Sequence, residues 1–436
     1  MSHKIMIAST ILLSSHLLTA NATAGIDDWI GTIGDWNNPA NWADGSSAGA
    51  SDLALIANGG TAIIDHQNLI LGSAIFGMDF EGRFGDGGLI QRGGITQWDG
   101  FGGLIFGRDT NTTGSLTLTD GASLTSAILE LGYQGNANAI IEGGSQVTVS
   151  NFYVAGRNRS SDRTFTAQTD LQIRGQGTLV QVTRDNVESF MMGTNGSATV
   201  TISDDAVVEA VNGLLASTTA QGSSLTIDGP GSTMRVTGQF FDTGRDITLP
   251  NDHPDVGNAT LTLRNGGTLD AQSTSRGMIF AEQSLTQGTG NILGDVRLRR
   301  GVIDPGELNT FGHLTIAGQL DNEVSGFGGT LHFDLGGTDI NLFDRLTVND
   351  LLAGGTLEVA LIDGYNPELY DSFDIITTLN SITGDFDLIT LPQLTNGFFF
   401  ESSIHATGVT LTVVPVPSSM LVFGCFGILR RRRRTI

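Results

Sequence analysis

Between about Gly114 and Phe280 the sequence repeats one pattern of short strands and tight corners, and this constrains the fold more than any other feature. A copy opens on a strand that alternates apolar and polar residues, Ser115-Leu116-Thr117-Leu118-Thr119. A turn follows at Asp120-Gly121-Ala122, then a second strand at Ser123-Leu124-Thr125, then a third at Ile128-Leu129-Glu130-Leu131-Gly132. The pattern returns at Ala139-Ile140-Ile141 with Phe152-Tyr153-Val154, and at Leu171-Gln172-Ile173 with Phe190-Met191-Met192. It returns again at Val200-Thr201-Ile202 with Leu214-Leu215, Leu225-Thr226-Ile227 with Phe240-Phe241, and Leu261-Thr262-Leu263 with Met278-Ile279-Phe280.

Aligning Leu116, Ile140, Leu171, Val200, Leu225 and Leu261 gives steps of 24, 31, 29, 25 and 36 residues, the range of stacked repeats. Strands this short cannot bury an apolar face alone, so neighbouring copies must stack. Three strands per step describe one triangular turn, and the corners take Gly because tight turns need positive φ. A sandwich of antiparallel hairpins is the competing fold. The variable step with a fixed motif order favours the coil. The sequence therefore predicts an all-β chain, a right-handed parallel β-helix (β-solenoid) over residues 85–320. Some eight coils at about 4.8 Å each make a rod about 40 Å long. Phe and Met of the third strand are assigned to its core.

At 436 residues the chain exceeds the roughly 250–300 at which one compact core stops growing, a limit an elongated solenoid escapes. Six of its 22 basic residues, Lys4 and Arg430–Arg434, lie in the end segments; without them the net charge moves from −23 to −29. That charge disfavours nucleic acid and anionic membranes as partners. Lys4 is the only lysine and Cys425 the only cysteine, so no disulfide can form within the chain.

Both ends read as addresses. Residues 1–24 have Lys4, an apolar stretch from Ile5 to Leu18, then Ala22-Thr23-Ala24, the layout of a secretory signal peptide. Cleavage is expected after Ala24, with Ala22 the alternative. Residues 415–436 hold Pro415-Val416-Pro417, the uncharged run Ser418–Leu429, and Arg430, Arg431, Arg432, Arg433 and Arg434. The run is short for a membrane span, which needs about 17–25 apolar residues, and the arginines favour the cytoplasmic side. This tail resembles the PEP-CTERM sorting signal of Gram-negative envelope proteins, with Val416 standing where that family has Glu. The resemblance implies a transient single-pass membrane helix and processing by an exosortase-type protease.

Two regions flank the array. Residues 25–84 carry Trp29 and Gly34-Asp35-Trp36-Asn37-Asn38-Pro39-Ala40-Asn41-Trp42. This motif looks like the N-terminal cap of exported bacterial β-helical proteins. Trp36 and Trp42 are expected to plug the first coil; stacking on carbohydrate is the alternative. Residues 321–414 form a C-terminal β region. It belongs to a run, 301–391, with Gly301-Val302-Ile303-Asp304-Pro305-Gly306, Gly328-Gly329-Thr330-Leu331-His332-Phe333-Asp334-Leu335 and Asp344-Arg345-Leu346-Thr347-Val348. These motifs resemble the C-terminal passenger region of autotransporter-type proteins, which implies a β-helix. The 45 residues after Leu391 are too few for that family's outer-membrane barrel.

No catalytic constellation stands out. The seven histidines show no helical zinc spacing, and no Gly-x-Ser-x-Gly elbow sits between a strand and a helix. The Gly-rich stretches lead into strands and offer no helix N-terminus for phosphate. Glu130 with Glu142, or Asp204 with Asp205, are the candidates for the paired carboxylates of a polysaccharide-cleaving β-helix; exposed acids on a β-face explain them equally well. Asn251-Asp252-His253-Pro254-Asp255 with Asn258 is the densest set of oxygen ligands for calcium, and a solvated turn is the preferred reading. The sequence thus leads to a non-catalytic structural or adhesive protein of the cell surface or extracellular matrix, with no cofactor required. Extracellular polysaccharide or matrix is the expected partner. A polysaccharide lyase or glycoside hydrolase on the same scaffold is the alternative.

Overall fold

The computed structural model describes residues 25–416, apart from 81–82, 101, 157–166, 186–188, 195, 216–221, 245–257, 282, 308–309, 324–327 and 396. Ala22, Ala24, Pro417, Arg430–Arg434, the apolar tail and the Asn251–Asp255 loop lie outside the described residues. So does the expected C-terminal helix; no helix among the described residues is long and apolar enough to cross a membrane.

The chain winds as a parallel β-solenoid with three faces. The first face is a sheet of 14 strands, from Ile33–Asp35 to Leu388–Thr390, in which every strand follows its predecessor in the chain by one coil. The other two faces fuse into one 23-stranded sheet. They fuse because strands such as Ser123–Leu131, Gln146–Val154 and Arg345–Ala353 run unbroken around the corner between them. At about 4.8 Å per coil the first face is roughly 60 Å long.

Alternation does the folding. In Thr113–Thr119 every second side chain is buried, Leu116 and Leu118 among them, and the same positions recur coil after coil. Leu171, Val200, Leu225 and Leu261 are direct register partners in turn. Leu118, Ile141, Ile173, Ile202, Ile227 and Leu263 form a parallel column beside them. On the third face Phe76 stacks on Phe106 (4.5 Å, 5° between planes) and Phe152 on Phe190 (5.2 Å, 18°). The corner between first and second faces is a left-handed pair, Asp120 (φ 57°) and Gly121 (φ 71°), a conformation in which Gly carries no Cβ penalty and Asp is among the best tolerated alternatives.

Two details differ from the sequence reading. Leu116 pairs with Ala139, not Ile140. Ala137, Ala139 and Ile141 point inward while Asn138 and Ile140 do not. Shifting by one residue would bury Asn136 and Asn138. The coil also extends past both limits of 85–320. Parallel pairing begins at Ile26–Asp28 with Leu53–Ile56 and continues to Thr356–Leu361 with Leu388–Thr390.

The tryptophan segment is thus the first coil. Trp42 meets Trp29 and Trp36 edge to face, with centroids at 5.2 and 4.9 Å, and Trp36 meets Trp98 of the second face at 5.5 Å. The Trp42 Nε1 donates to the Trp36 carbonyl (2.7 Å) and the Trp36 Nε1 to that of Ala48 (3.1 Å). All four rings are at most 3% exposed. They plug the column, and no ring face is open to a sugar.

At the other end the hairpin of Phe398–His405 and Gly408–Pro415 lies antiparallel on Ser372–Gly384. Leu411 stands beside Phe373 and Val409 beside Ile376, the Phe400 ring meets Phe373 edge to face at 6.1 Å, and these side chains carry the column's apolar core into the hairpin.

Candidate functional site

The outer surface offers three arrangements of chemistry-bearing side chains. The first is a ladder on the second face. Gln181, Glu209, Arg235 and Asp270 occupy one outward position on four successive coils. Gln181 Nε2 donates to Glu209 (3.0 Å), and the Arg235 guanidinium bridges Glu209 (2.8 Å) and Asp270 (3.1 Å). These groups satisfy one another and hold adjacent coils in register.

The second is a cluster of acids and a histidine near the C-terminal end of the first face. His332 is in register with Glu358. Its Nδ1 lies 3.4 Å from Glu358 and its Nε2 3.3 Å from Asp334. Hydrogen bonding to Asp334, with Asp304 beside it, raises the imidazole to about 9, so it is doubly protonated at neutral pH. Asp344 is fully buried and accepts the backbone N–H groups of Gly312 and Asp334, both at 2.8 Å. Burial pushes Asp344 up to about 7 against the pull of those two bonds, and pushes Asp304 up to about 6. With both imidazole nitrogens committed to carboxylates, His332 is an ion-pair partner and not a free base. Among the described residues no group of three or more His, Cys, Asp or Glu is placed to hold a metal ion.

The third is a groove at the corner between second and third faces. Two coils turn this corner in two residues, Gly294-Asp295 and Gly318-Gln319, while the coil before them uses seven, 271–277. The longer segment overhangs the shorter corners and encloses about 470 Å³. Its course is fixed by Ser275 and Arg276, whose N–H groups donate to the carbonyls of Gly238 (3.2 Å) and Gln239 (2.9 Å). Lining the groove are Gln272, Arg276, Arg297, Gln319, Asp321 and Asn349. Sequence reasoning missed it. The available signal was the seven-residue stretch between Asp270 and Met278, a length shared with 183–189, followed by the two close-set glycine corners at Gly294 and Gly318.

The structure separates one of the carboxylate pairs singled out from the sequence and puts the other at a corner. Glu130 is buried on the third face, whereas Glu142 stands at the end of a first-face strand and pairs with Arg174 at 2.7 Å. Asp204 and Asp205 are consecutive left-handed corner residues (φ 54° and 66°). Of the sorting motif, Pro415 ends the last strand opposite Phe398, and Val416 donates its N–H to Gly397 (3.0 Å).

No protein-family model matches the chain, and no curated protein does. Among solved structures, that of the Haemophilus influenzae Hap adhesin is similar at 12% identity with a TM-score of 0.24, over 84% of this chain and 47% of that one. The chain spans about half the length of that adhesin chain, and the assignment of a solenoid rests on the strand ladder itself.

Proposed function

We propose that this chain is an exported, non-catalytic structural or adhesive rod of the cell surface or extracellular matrix. The observation that carries the reading is an unbroken apolar column beneath outward rows of Thr, Ser, Asn, Gln and Asp, closed by a tryptophan plug at one end and a hairpin at the other. Such a body is rigid, bears a large surface for its mass and has repetitive edges along which extended partners can lie. The acidic chain keeps it soluble and apart from anionic polymers. Extracellular neutral polysaccharide or matrix protein fits as the partner.

Delivery follows from the ends. The signal peptide is cleaved after Ala24, and the tail Pro415–Ile436 holds the chain transiently at the inner membrane until an exosortase-like protease processes it. Pro415 and Val416 lie at the mouth of the closing hairpin, which supports the reading of a separate sorting segment beyond them. Two measurements test this. Protease treatment of intact cells should digest the chain, with its mature N-terminus at Gly25. Replacing Arg430–Arg434 with Gln should weaken membrane retention, and deleting Ser418–Ile436 should release the protein. A cytoplasmic chain that keeps Met1, or variants retained as wild type is, would sink the reading. Release of reducing sugars from neutral or acidic polysaccharides by the purified protein would replace it with the lyase or hydrolase.

A further inference from the structure

We infer that the corner groove between residues 271–277 and the two short corners below it is a binding site for a short segment of neutral, hydroxyl-rich polysaccharide. The inference rests on the surface-exposed reading above and names where along the rod the polysaccharide is held.

The argument starts from the shape. The corner at 271–277 takes seven residues while the next two take two each, and this mismatch makes a concavity of about 470 Å³, within the range of small-ligand sites. Its floor is backbone. A Cβ on Gly318 would collide with the Gly294 carbonyl oxygen, and one on Gly294 would press on Ala271. Glycine at both positions lets the coils close up and leaves no side chain to fill the space above.

The lining then selects the ligand. Drug-like ligands take mostly apolar pockets, whereas Gln272, Arg276, Arg297, Gln319, Asp321 and Asn349 are all polar. They supply donors from two guanidinium groups and three amides, and acceptors from the amide oxygens and the Asp321 carboxylate. A hydroxyl is both donor and acceptor, so a polyol matches such a mixed wall better than an anion or a cation does. Two arginines, Arg276 and Arg297, and two aspartates, Asp295 and Asp321, line the groove, with the buried Asp242 behind Arg276, so the site has no positive excess, and the strongly acidic chain repels polyanions.

Two of the groups are already fixed in place. The Arg276 guanidinium lies 5.0 Å from the Phe240 ring centroid and 3.9 Å from the buried Asp242. Asp295 accepts the Gln319 N–H at 2.9 Å, which sets the turn carrying the Gln319 side chain. Arg297 stands in register between Ile279 and Asp321, exposed, and forms no ion pair among the described residues. Fixed groups lose little entropy when a ligand binds.

Titration calorimetry of the purified full-length chain tests the site with four probes: cellohexaose, xylohexaose, maltohexaose and hexagalacturonate. At least one neutral hexamer should bind saturably and more tightly than hexagalacturonate. The double variant Gln272→Ala/Arg297→Ala removes only exposed side chains and should weaken that binding by about tenfold or more. Thr226→Ala, on the first face, should leave it unchanged. The proposal is overturned if no neutral hexamer saturates, if hexagalacturonate binds best, or if the double variant binds as wild type does. Circular dichroism and melting of the double variant should match wild type; a variant that melts early is replaced by Gln272→Glu/Arg297→Gln, read against the same outcomes. Failure of the surface reading shows separately, as a chain inaccessible to protease on intact cells whatever the groove binds.

Discussion

The Asp344 carboxylate accepts the backbone N–H of Asp334 at 2.8 Å, tying the start of one strand to the end of the strand before it. Its other oxygen takes the N–H of Gly312, also at 2.8 Å, at the start of the preceding coil's strand. One buried side chain thus terminates two backbone donors that no ladder reaches. Asn in its place offers only one acceptor oxygen and turns an NH₂ toward the other N–H. Asp344→Asn is therefore expected to cost about 1–3 kcal/mol, the penalty of an unsatisfied buried donor. Urea denaturation read against wild type checks it; an unchanged midpoint would show that the two N–H groups find other partners.

The pH dependence follows from four groups whose folded pKa values are raised. Burial, with Asp52 close by, lifts Asp27 to about 6, and burial lifts Asp304 to about 6 and Asp344 to about 7. His332 is lifted to about 9 by its carboxylate partners. In each case the folded state holds the proton more tightly than the unfolded chain. The contribution is complete below the unfolded pKa and lost as pH rises through the folded one. The carboxyl groups act between roughly pH 4 and 7, and His332 between about 6.5 and 9. Thermal melting should therefore give a Tm higher near pH 5 than near pH 8. The Glu307 carboxyl, lowered by Arg264, works the other way and turns the curve down in stronger acid. His332→Gln should flatten the limb between pH 7 and 9 while leaving the fall between pH 5 and 7. A Tm that rises steadily from pH 5 to 9 would contradict the assignment.

The architecture was legible where one physical rule dominated. Alternation in Leu116-Thr117-Leu118 and Leu225-Thr226-Ile227 fixes which side chains face inward, and the Gly corners fix where the strands end. The rule gave the wrong register at Asn136–Ile141, because hydrophobicity favours Ile140 while the pleat puts small Ala139 inside. It also understated the coil's extent. The first strands, Ile26–Asp28 and Ile33–Asp35, are three residues long, too short for a periodic pattern. The candidate site was harder still. Asp304, His332, Asp334 and Asp344 come together from three motifs noticed separately, and only coil stacking sets them side by side. Tyr153, Met191 and Leu214 take outward positions on the third face, yet they are buried with Phe240 in a second apolar layer. No single-strand periodicity reports such a layer.

The stacked rings make the middle coils interdependent. Phe190 is fully buried and stacks on Phe152 of the preceding coil. Truncation to Ala leaves a cavity that a close-packed solenoid relaxes only in part, at a cost of about 3–5 kcal/mol. Because each coil contacts only its neighbours, the loss should be local before it is global. Native-state hydrogen exchange of Phe190→Ala should show weakened protection over 146–215, with the tryptophan coil and the C-terminal hairpin protected as in wild type. Uniform loss along the rod would mean that the array unfolds as one unit.

The closing hairpin carries the last prediction, because a solenoid end without a cap is an open strand edge. Gly408–Pro415 pairs with Ser372–Gly384 on one side and with Phe398–His405 on the other, so the final coil is not left as a bare ladder. Leu411 and Val409 stand beside Phe373 and Ile376, and the Phe400 ring meets Phe373 edge to face at 6.1 Å, all buried in the same core. Truncation after Thr395 would uncover Phe373, Ile376 and the hydrogen-bonding edge of Ser372–Gly384 together, and such edges pair with other chains. Truncation after Val416 removes only the tail and leaves the hairpin whole. Light scattering on the two proteins separates the cases. The longer one should remain monomeric, and the shorter should associate in proportion to its concentration and melt at lower temperature. If both stay monomeric with equal melting, the hairpin is an appendage and the column is closed by the final coil alone.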